Sequence, residues 1–215
     1  VRVPLRRCQM PAYYAGTQEL TGSAVNAPSL AAWWRLADLA QALTAAWGGS
    51  THAAQADAAT CLVEAIALDE VDSTNTRLLE MARADAAPTL RLLVAERQWA
   101  GRGRLGRAWH SAAGESLTFS LALPMPAVMD AGLSLAVGAG VARALEPVMG
   151  VVPCVMLKWP NDIWLRDDAA PMGGRKLAGV LIETAGTVDG RVLVVGLGIN
   201  LKAPSVPIHP APDCG

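Results

Sequence analysis

Lysine is nearly absent from this chain: fifteen of its eighteen basic residues are arginine, leaving only Lys158, Lys176 and Lys202. Where arginine serves most purposes, a retained lysine marks a place for a compact, point-like charge. The four cysteines (Cys8, Cys61, Cys154, Cys214) form no C-x-x-C pair and no Cys/His spacing suited to zinc. That excludes a zinc ribbon or a dithiol redox centre and reads as the reduced thiols of a cytoplasmic protein. No apolar run approaches the roughly 20 residues that a bilayer span needs. The N-terminus has no continuous apolar stretch beside its basic residues, which speaks against a secretory signal. A net charge of −1 excludes a general nucleic-acid coat. Apolar side chains, by contrast, are plentiful at 52%, enough for one large domain or a domain with an extension.

The first sixty residues carry little regular pattern. One helix is expected from Ser29 to Trp47, with Trp33, Leu36, Ala40, Leu43 and Trp47 at helical spacing and Gly48-Gly49 as its stop. The region has Arg2, Arg6, Arg7 and Arg35 but no lysine, so a DNA-reading helix is not expected there. From Leu62 the pattern sharpens. Strands are expected at Leu62–Val71, Leu90–Glu96, Ser116–Leu123, Val155–Lys158, Ile163–Leu165, Lys176–Thr184 and Arg191–Leu197, the last two joined by an Asp189-Gly190 turn. Asp72-Ser73-Thr74-Asn75 opens a helix running to Ala84, and Leu133, Val137, Val141, Leu145 and Val148 mark a second, ending at Gly150. Hairpins with helices inserted between them indicate an α+β domain on a mixed sheet. The tail from Leu201 has four prolines in fifteen residues and reads as irregular. The expected division is therefore 1–60 extension, 61–201 catalytic domain and 202–215 tail.

Arg97 to Trp109, R-Q-W-A-G-R-G-R-L-G-R-A-W, holds four arginines, three glycines and no acid. Fixed positive charge on a glycine-rich loop suits closure over an anionic carboxylate and polyphosphate. It equally suits an ordinary solvated loop. Gly101 to Gly106 formally matches G-x-G-x-x-G, but a dinucleotide loop must run directly into a helix, and no helical pattern follows. That reading is rejected. Lys158-Trp159-Pro160-Asn161-Asp162 puts a lysine at a strand end before a tight turn. Lys158 there either pairs with Asp162 or faces a pocket. Gly174-Arg175-Lys176-Leu-Ala-Gly179-Val-Leu-Ile-Glu183 starts an apolar strand. Gly196-Leu-Gly198-Ile-Asn200 either lets other groups approach the backbone closely or forms a bulge.

Taken together and in order, S-T-N, G-R-G-R-x-G-R-x-W, K-W-P-N-D, R-K-L-A-G-x-L-x-E and G-x-G-I-N resemble the biotin protein ligase family over roughly Leu68 to Leu201. The resemblance implies a core like that of class II aminoacyl-tRNA synthetases and biotin ligases. It also implies two half-reactions: biotin and Mg-ATP give biotinyl-5′-adenylate, and a lysine of a biotin carboxyl carrier domain then takes the biotinyl group. ATP, biotin and Mg²⁺ would be bound. Lys158 matches the lysine placed between the two anions, so Lys158→Ala is expected to abolish adenylate formation. Ser73, Thr74, Asn75 and Gln98 match the biotin-binding positions, and Arg102, Gly103 and Arg104 match the loop that folds over biotin and adenylate. Arg102, Arg107 and Trp109 are expected nucleotide contacts as well, Asn161 and Asn200 nucleotide or magnesium contacts, and Lys176 a contact at the phosphate end of the site or the carrier surface. No nucleic acid or membrane partner is implied.

Two alternatives stand beside this reading: a lipoate- or octanoate-protein ligase of related fold, and a biotin-binding protein without turnover. Family members continue beyond the G-x-G-I-N motif into a small C-terminal domain, which is expected to be missing here. The start at Val1 fits a fragment or an alternative start codon.

Overall fold

The structure, a computed structural model, describes residues 64–85, 90–125, 132–149, 155–170, 172–187 and 190–202. The helix expected over Ser29–Trp47, all four cysteines and the tail after Lys202 lie outside the described residues. The described chain runs β1 (Glu64–Val71), α1 (Thr74–Ala84), β2 (Arg91–Gln98), β3 (Ser116–Met125), α2 (Leu133–Met149), β4 (Val155–Lys158), β5 (Asp162–Arg166), β6 (Gly174–Thr187) and β7 (Gly190–Asn200). The strands form one mixed sheet in the order β1-β2-β3-β7-β6-β5-β4. Only β1 and β2 pair in parallel, and α1 supplies the crossover that such a pair requires. This is the α+β architecture expected.

Alternation along β7 divides the molecule into two layers. Val192 and Val194 pack with Leu78, Leu79 and Ala82 of α1, while Leu193, Val195, Leu197 and Ile199 pack beneath Leu133, Val137, Val141 and Leu145 of α2. Successive strand residues point to opposite faces, so α1 and α2 cover opposite sides of the sheet. The α1 face then runs on along β7 through Gly196 and Gly198, and along β3 from Ala122 to Ser120 and Thr118. There the apolar core gives way to small and polar residues.

The departures from expectation have local causes. β3 continues through Pro124 because pairing with β2 already stops at Ala122, leaving room for a residue without an N–H. β7 continues past Leu197 to Asn200 because β3 and β6 both pair through Gly196 and Gly198 without a register break, so the glycines form no bulge. The register break lies instead between β5 and β6, where Ile163 faces Ala178 and Trp164 faces Lys176. In the β5–β6 connection, a hydrogen bond from Arg175 and then the Ala169 N–H hold the Asp167 carboxyl below the usual carboxylate range. Among the described residues no helix is long and apolar enough to cross a membrane.

Candidate active site

The N-terminus of α1 meets the sheet at its small-residue patch. Ser73 is extended and caps the helix by accepting from the Thr76 N–H. Thr74 and Asn75 follow, both buried, and each is fixed from the sheet. Gln98 at the end of β2 accepts from the Thr74 N–H at 2.7 Å and from the Thr74 hydroxyl at 3.1 Å. Asn75 donates to the Leu181 carbonyl at 3.3 Å and to Glu183 at 3.0 Å, which settles the orientation of its amide. The Ser120 hydroxyl of β3 sits 2.6 Å from both Thr74 Oγ1 and Asn75 Oδ1. Hydroxyl and amide oxygens each carry two lone pairs, so the cluster keeps acceptor capacity for an incoming N–H.

The basic loop is a small hairpin. The Gly103 N–H donates to Arg107 O at 2.7 Å, the Arg107 N–H to Arg104 O at 3.2 Å, and the Trp109 N–H to Gly101 O at 2.8 Å. Arg104 to Gly106 form a 3₁₀ turn at the tip, with Leu105 at φ 56° and 88% exposed. β3 follows, without a helix, so the dinucleotide-loop reading stays rejected. Arg104 and Arg107 are exposed. Arg102 reaches back to the sheet, its Nη2 2.6 Å from each oxygen of Glu183. The Trp109 ring lies over the β7 and β6 glycines: a Cβ added at Gly198 would stand 2.3 Å from Trp109 Cε2, and one at Gly179 3.4 Å from its Cζ3. The buried Trp109 Nε1 has no hydrogen-bond partner among the described residues.

Both motif lysines lie on this face, at different depths. Lys176 on β6 places Nζ 2.8 Å from Asp162 Oδ1 and 5.6 Å from the Trp109 ring centroid. Lys158 stands on β4, the outermost strand, exposed, with its Nζ 3.7 Å above the Trp164 ring. Asp162, the acid that Lys158 could have paired with, is held by Lys176 instead. Asn161 and Asn200 spend their amide N–H groups on β6 carbonyls, Val180 at 2.8 Å and Lys176 at 3.1 Å. The donor end of each side chain therefore ties strands together.

Residues 67–200 match the model of the biotin/lipoate A/B protein ligase family. The chain belongs to this family. The bifunctional ligase/repressor BirA of Escherichia coli is 40% identical over 141 residues, covering 62% of this chain and 39% of that protein. The biotin–[acetyl-CoA-carboxylase] ligase of Mycobacterium tuberculosis is 35% identical over 145 residues, covering 66% and 50%. Among solved structures, the biotin protein ligase of Aquifex aeolicus in complex with biotin and ATP is 37% identical, with a TM-score of 0.51, covering 67% of this chain and 55% of that one. The chain thus spans about half the length, or less, of these ligases. The expected biotin ligase-like core, with its likeness to class II aminoacyl-tRNA synthetases, is the fold shared with them.

Two members of the polar cluster, Ser120 and Glu183, were given no role by the sequence. Ser120 is one of three small polar residues, Ser116, Thr118 and Ser120, that alternate along β3 on the face opposite Leu117 and Phe119. Alternation of that kind inside a central strand marks a polar-lined face and was the available signal. Glu183 closes the R-K-L-A-G-x-L-x-E motif. An acid inside an otherwise apolar, centrally paired strand needs a partner, and it has Asn75 and Arg102.

Proposed function

We propose that this chain is the catalytic core of an ATP-dependent biotin–protein ligase. The observation that carries the proposal is the meeting, on one sheet face, of a buried hydroxyl-and-amide cluster, an arginine hairpin and two lysines. A ureido ring is a compact set of N–H donors with one carbonyl acceptor. The Thr74–Asn75–Ser120–Gln98 cluster has an acceptor to spare for it. The relatives' names and the biotin and ATP bound to the Aquifex enzyme support the same reading.

The chemistry follows from charge. A carboxylate oxygen of biotin attacks the α-phosphorus of ATP; the bond from phosphorus to the pyrophosphate oxygen breaks, and biotinyl-5′-adenylate forms. Two anions must meet, and preorganised cations offset their repulsion and the charge gathering on phosphorus. Geometry favours Lys176 over Lys158 for the inner position, since Lys176 is nearer Trp109 and two strands closer to the polar cluster. Lys158 then serves the outer, polyphosphate end, and Mg²⁺ enters as the counter-ion of the triphosphate. Arg102, Gly103 and Arg104 cover the mixed anhydride against water. In the second step an amine of a carrier-domain lysine attacks the biotinyl carbon, AMP leaves and the amine loses a proton. A cytoplasmic setting, where carrier and ATP coexist, fits this activity.

The deciding experiment incubates the protein with biotin, Mg-ATP and a biotin carboxyl carrier domain and probes the carrier for bound biotin. Biotin binding without transfer would replace the proposal with that of a binder. A rise in melting temperature with lipoate and ATP, and none with biotin and ATP, would move the substrate to a linear acyl chain.

Two further outcomes test the hairpin as a lid. Trypsin should cut the ligand-free protein within Arg97–Arg107, and biotin with ATP should protect it; equal cutting in both states contradicts the lid. Arg104→Gly should let adenylate escape and raise biotinylation of unrelated lysines several-fold, and unchanged retention of adenylate contradicts a covering role for Arg104.

A further inference from the structure

We propose that Glu183 is a positioning residue that fixes the hairpin over the polar cluster by acting on Arg102. The base of the hairpin is already tied to the entry of α1, the Trp99 N–H donating to Val71 O at 3.0 Å and the Ala100 N–H to Asp72 O at 2.9 Å; the Glu183 carboxylate adds a side-chain link from the polar cluster to Arg102, nearer the tip. Glu183 Oε2 accepts from the buried Asn75 amide at 3.0 Å and from Arg102 Nη2 at 2.6 Å, and Oε1 accepts from the same Nη2 at 2.6 Å. Asn75 in turn is held by Leu181 O and Ser120, so the carboxylate has little freedom to swing. Arg102 is half exposed and sits on a hairpin otherwise closed by its own backbone bonds. Without Glu183 that guanidinium, with several rotatable bonds, would sample many positions in water.

Among the described residues, only one nitrogen of the guanidinium is engaged. Arginine offers five N–H donors in a planar fork, so gripping Nη2 leaves Nη1 and Nε to present to an anion while their plane is already set. Glu183 therefore lowers the ordering cost of anion binding without meeting the anion. An exposed ion pair is worth little to stability. Its effect belongs to ligand affinity, where each side chain immobilised beforehand spares part of the binding entropy.

The proposal rests on the biotin-ligase reading for its kinetic test only. Glu183→Gln spares one partner and weakens the other. A glutamine oxygen in the Oε2 position keeps the Asn75 bond, while Arg102 loses the opposite charge and one of its two acceptors, the amide nitrogen in the Oε1 position facing Nη2 donor to donor. In the full chain, Glu183→Gln should raise KM for biotin in adenylate formation about fivefold and leave kcat within about twofold. Arg102→Ala should raise KM at least as much, and adding Glu183→Gln to Arg102→Ala should change nothing further. A second rise of equal size in that background would show Glu183 acting through Asn75 and the fold, and would overturn the proposal. So would a Glu183→Gln protein identical to the parent in KM. If the parent forms no adenylate, the ligase reading fails by itself. The hairpin then answers alone: ligand-free Glu183→Gln should be cut by trypsin within Arg97–Arg107 several-fold faster than the parent, and an unchanged rate refutes the anchoring.

Discussion

Lys176→Met is expected to slow adenylate formation about 10²- to 10³-fold, the usual cost of removing a preorganised charge from a transition state where charge builds. Lys158→Met is expected to cost closer to tenfold. The ranking comes from depth. Lys176 Nζ lies between Asp162 and the Trp109 ring on the strand that also carries Glu183, whereas Lys158 rests over Trp164 on the sheet's edge. Strands are spaced about 4.8 Å apart, so the β4 and β6 backbones that carry the two lysines stand roughly 10 Å apart across the sheet. Three ammonium protons allow Lys176 to hold Asp162 and still meet two oxygens of reacting anions. Losing Lys176 also strands a largely buried carboxylate, which by itself destabilises. The double variant Lys176→Met with Asp162→Asn removes that complication: it should recover the melting temperature and stay inactive. Pre-steady-state adenylate formation measures both. A larger loss in Lys158→Met than in Lys176→Met would return the central place to Lys158, where the sequence motif put it.

The relative depth of the two lysines is where sequence reading stops. Both lysines stand in recognisable motifs, but which of them is inner depends on β6 lying between β7 and β5, an order of strands that no local pattern encodes. The break in register that sets Lys176 opposite Trp164 is equally invisible in one dimension. Periodicity did locate the elements. α1 begins at the S-T-N turn with Ser73 as cap, and α2 covers the apolar stripe from Leu133. The hairpin was legible as charge and glycine but not as shape, because its order comes from backbone bonds within it and at its base, from Trp109 packed on the β7 glycines and from one distant acid, Glu183. The β7 glycines were legible as places of close approach. What approaches them, Asn75 at Gly196 and Trp109 at Gly198, comes from segments more than eighty residues away in sequence.

Gly196→Ala should accordingly be the most damaging single methyl in the sheet. A Cβ there would lie 2.1 Å from Asn75 Oδ1 and 2.8 Å from its Cγ, far inside contact distance. Asn75 cannot yield cheaply. Its backbone belongs to the first turn of α1, and its amide is pinned by Ser120, Leu181 O and Glu183. Overpacking costs about 1–3 kcal/mol, and the buried partners left without Asn75 cost about as much again. The sum, about 2–6 kcal/mol, corresponds to a melting temperature lower by roughly 10 °C in a domain of this size. Gly186→Ala is the control: nothing lies within 4 Å of its added Cβ, and the change should stay within about 0.5 kcal/mol. Truncating the obstructing side chain tests the cause. Gly196→Ala combined with Asn75→Ala should regain most of the lost stability while failing to bind biotin, since the methyl then fills space from which the amide has been removed. Full stability and biotin binding in Gly196→Ala alone would mean that Asn75 does not hold the place it occupies here.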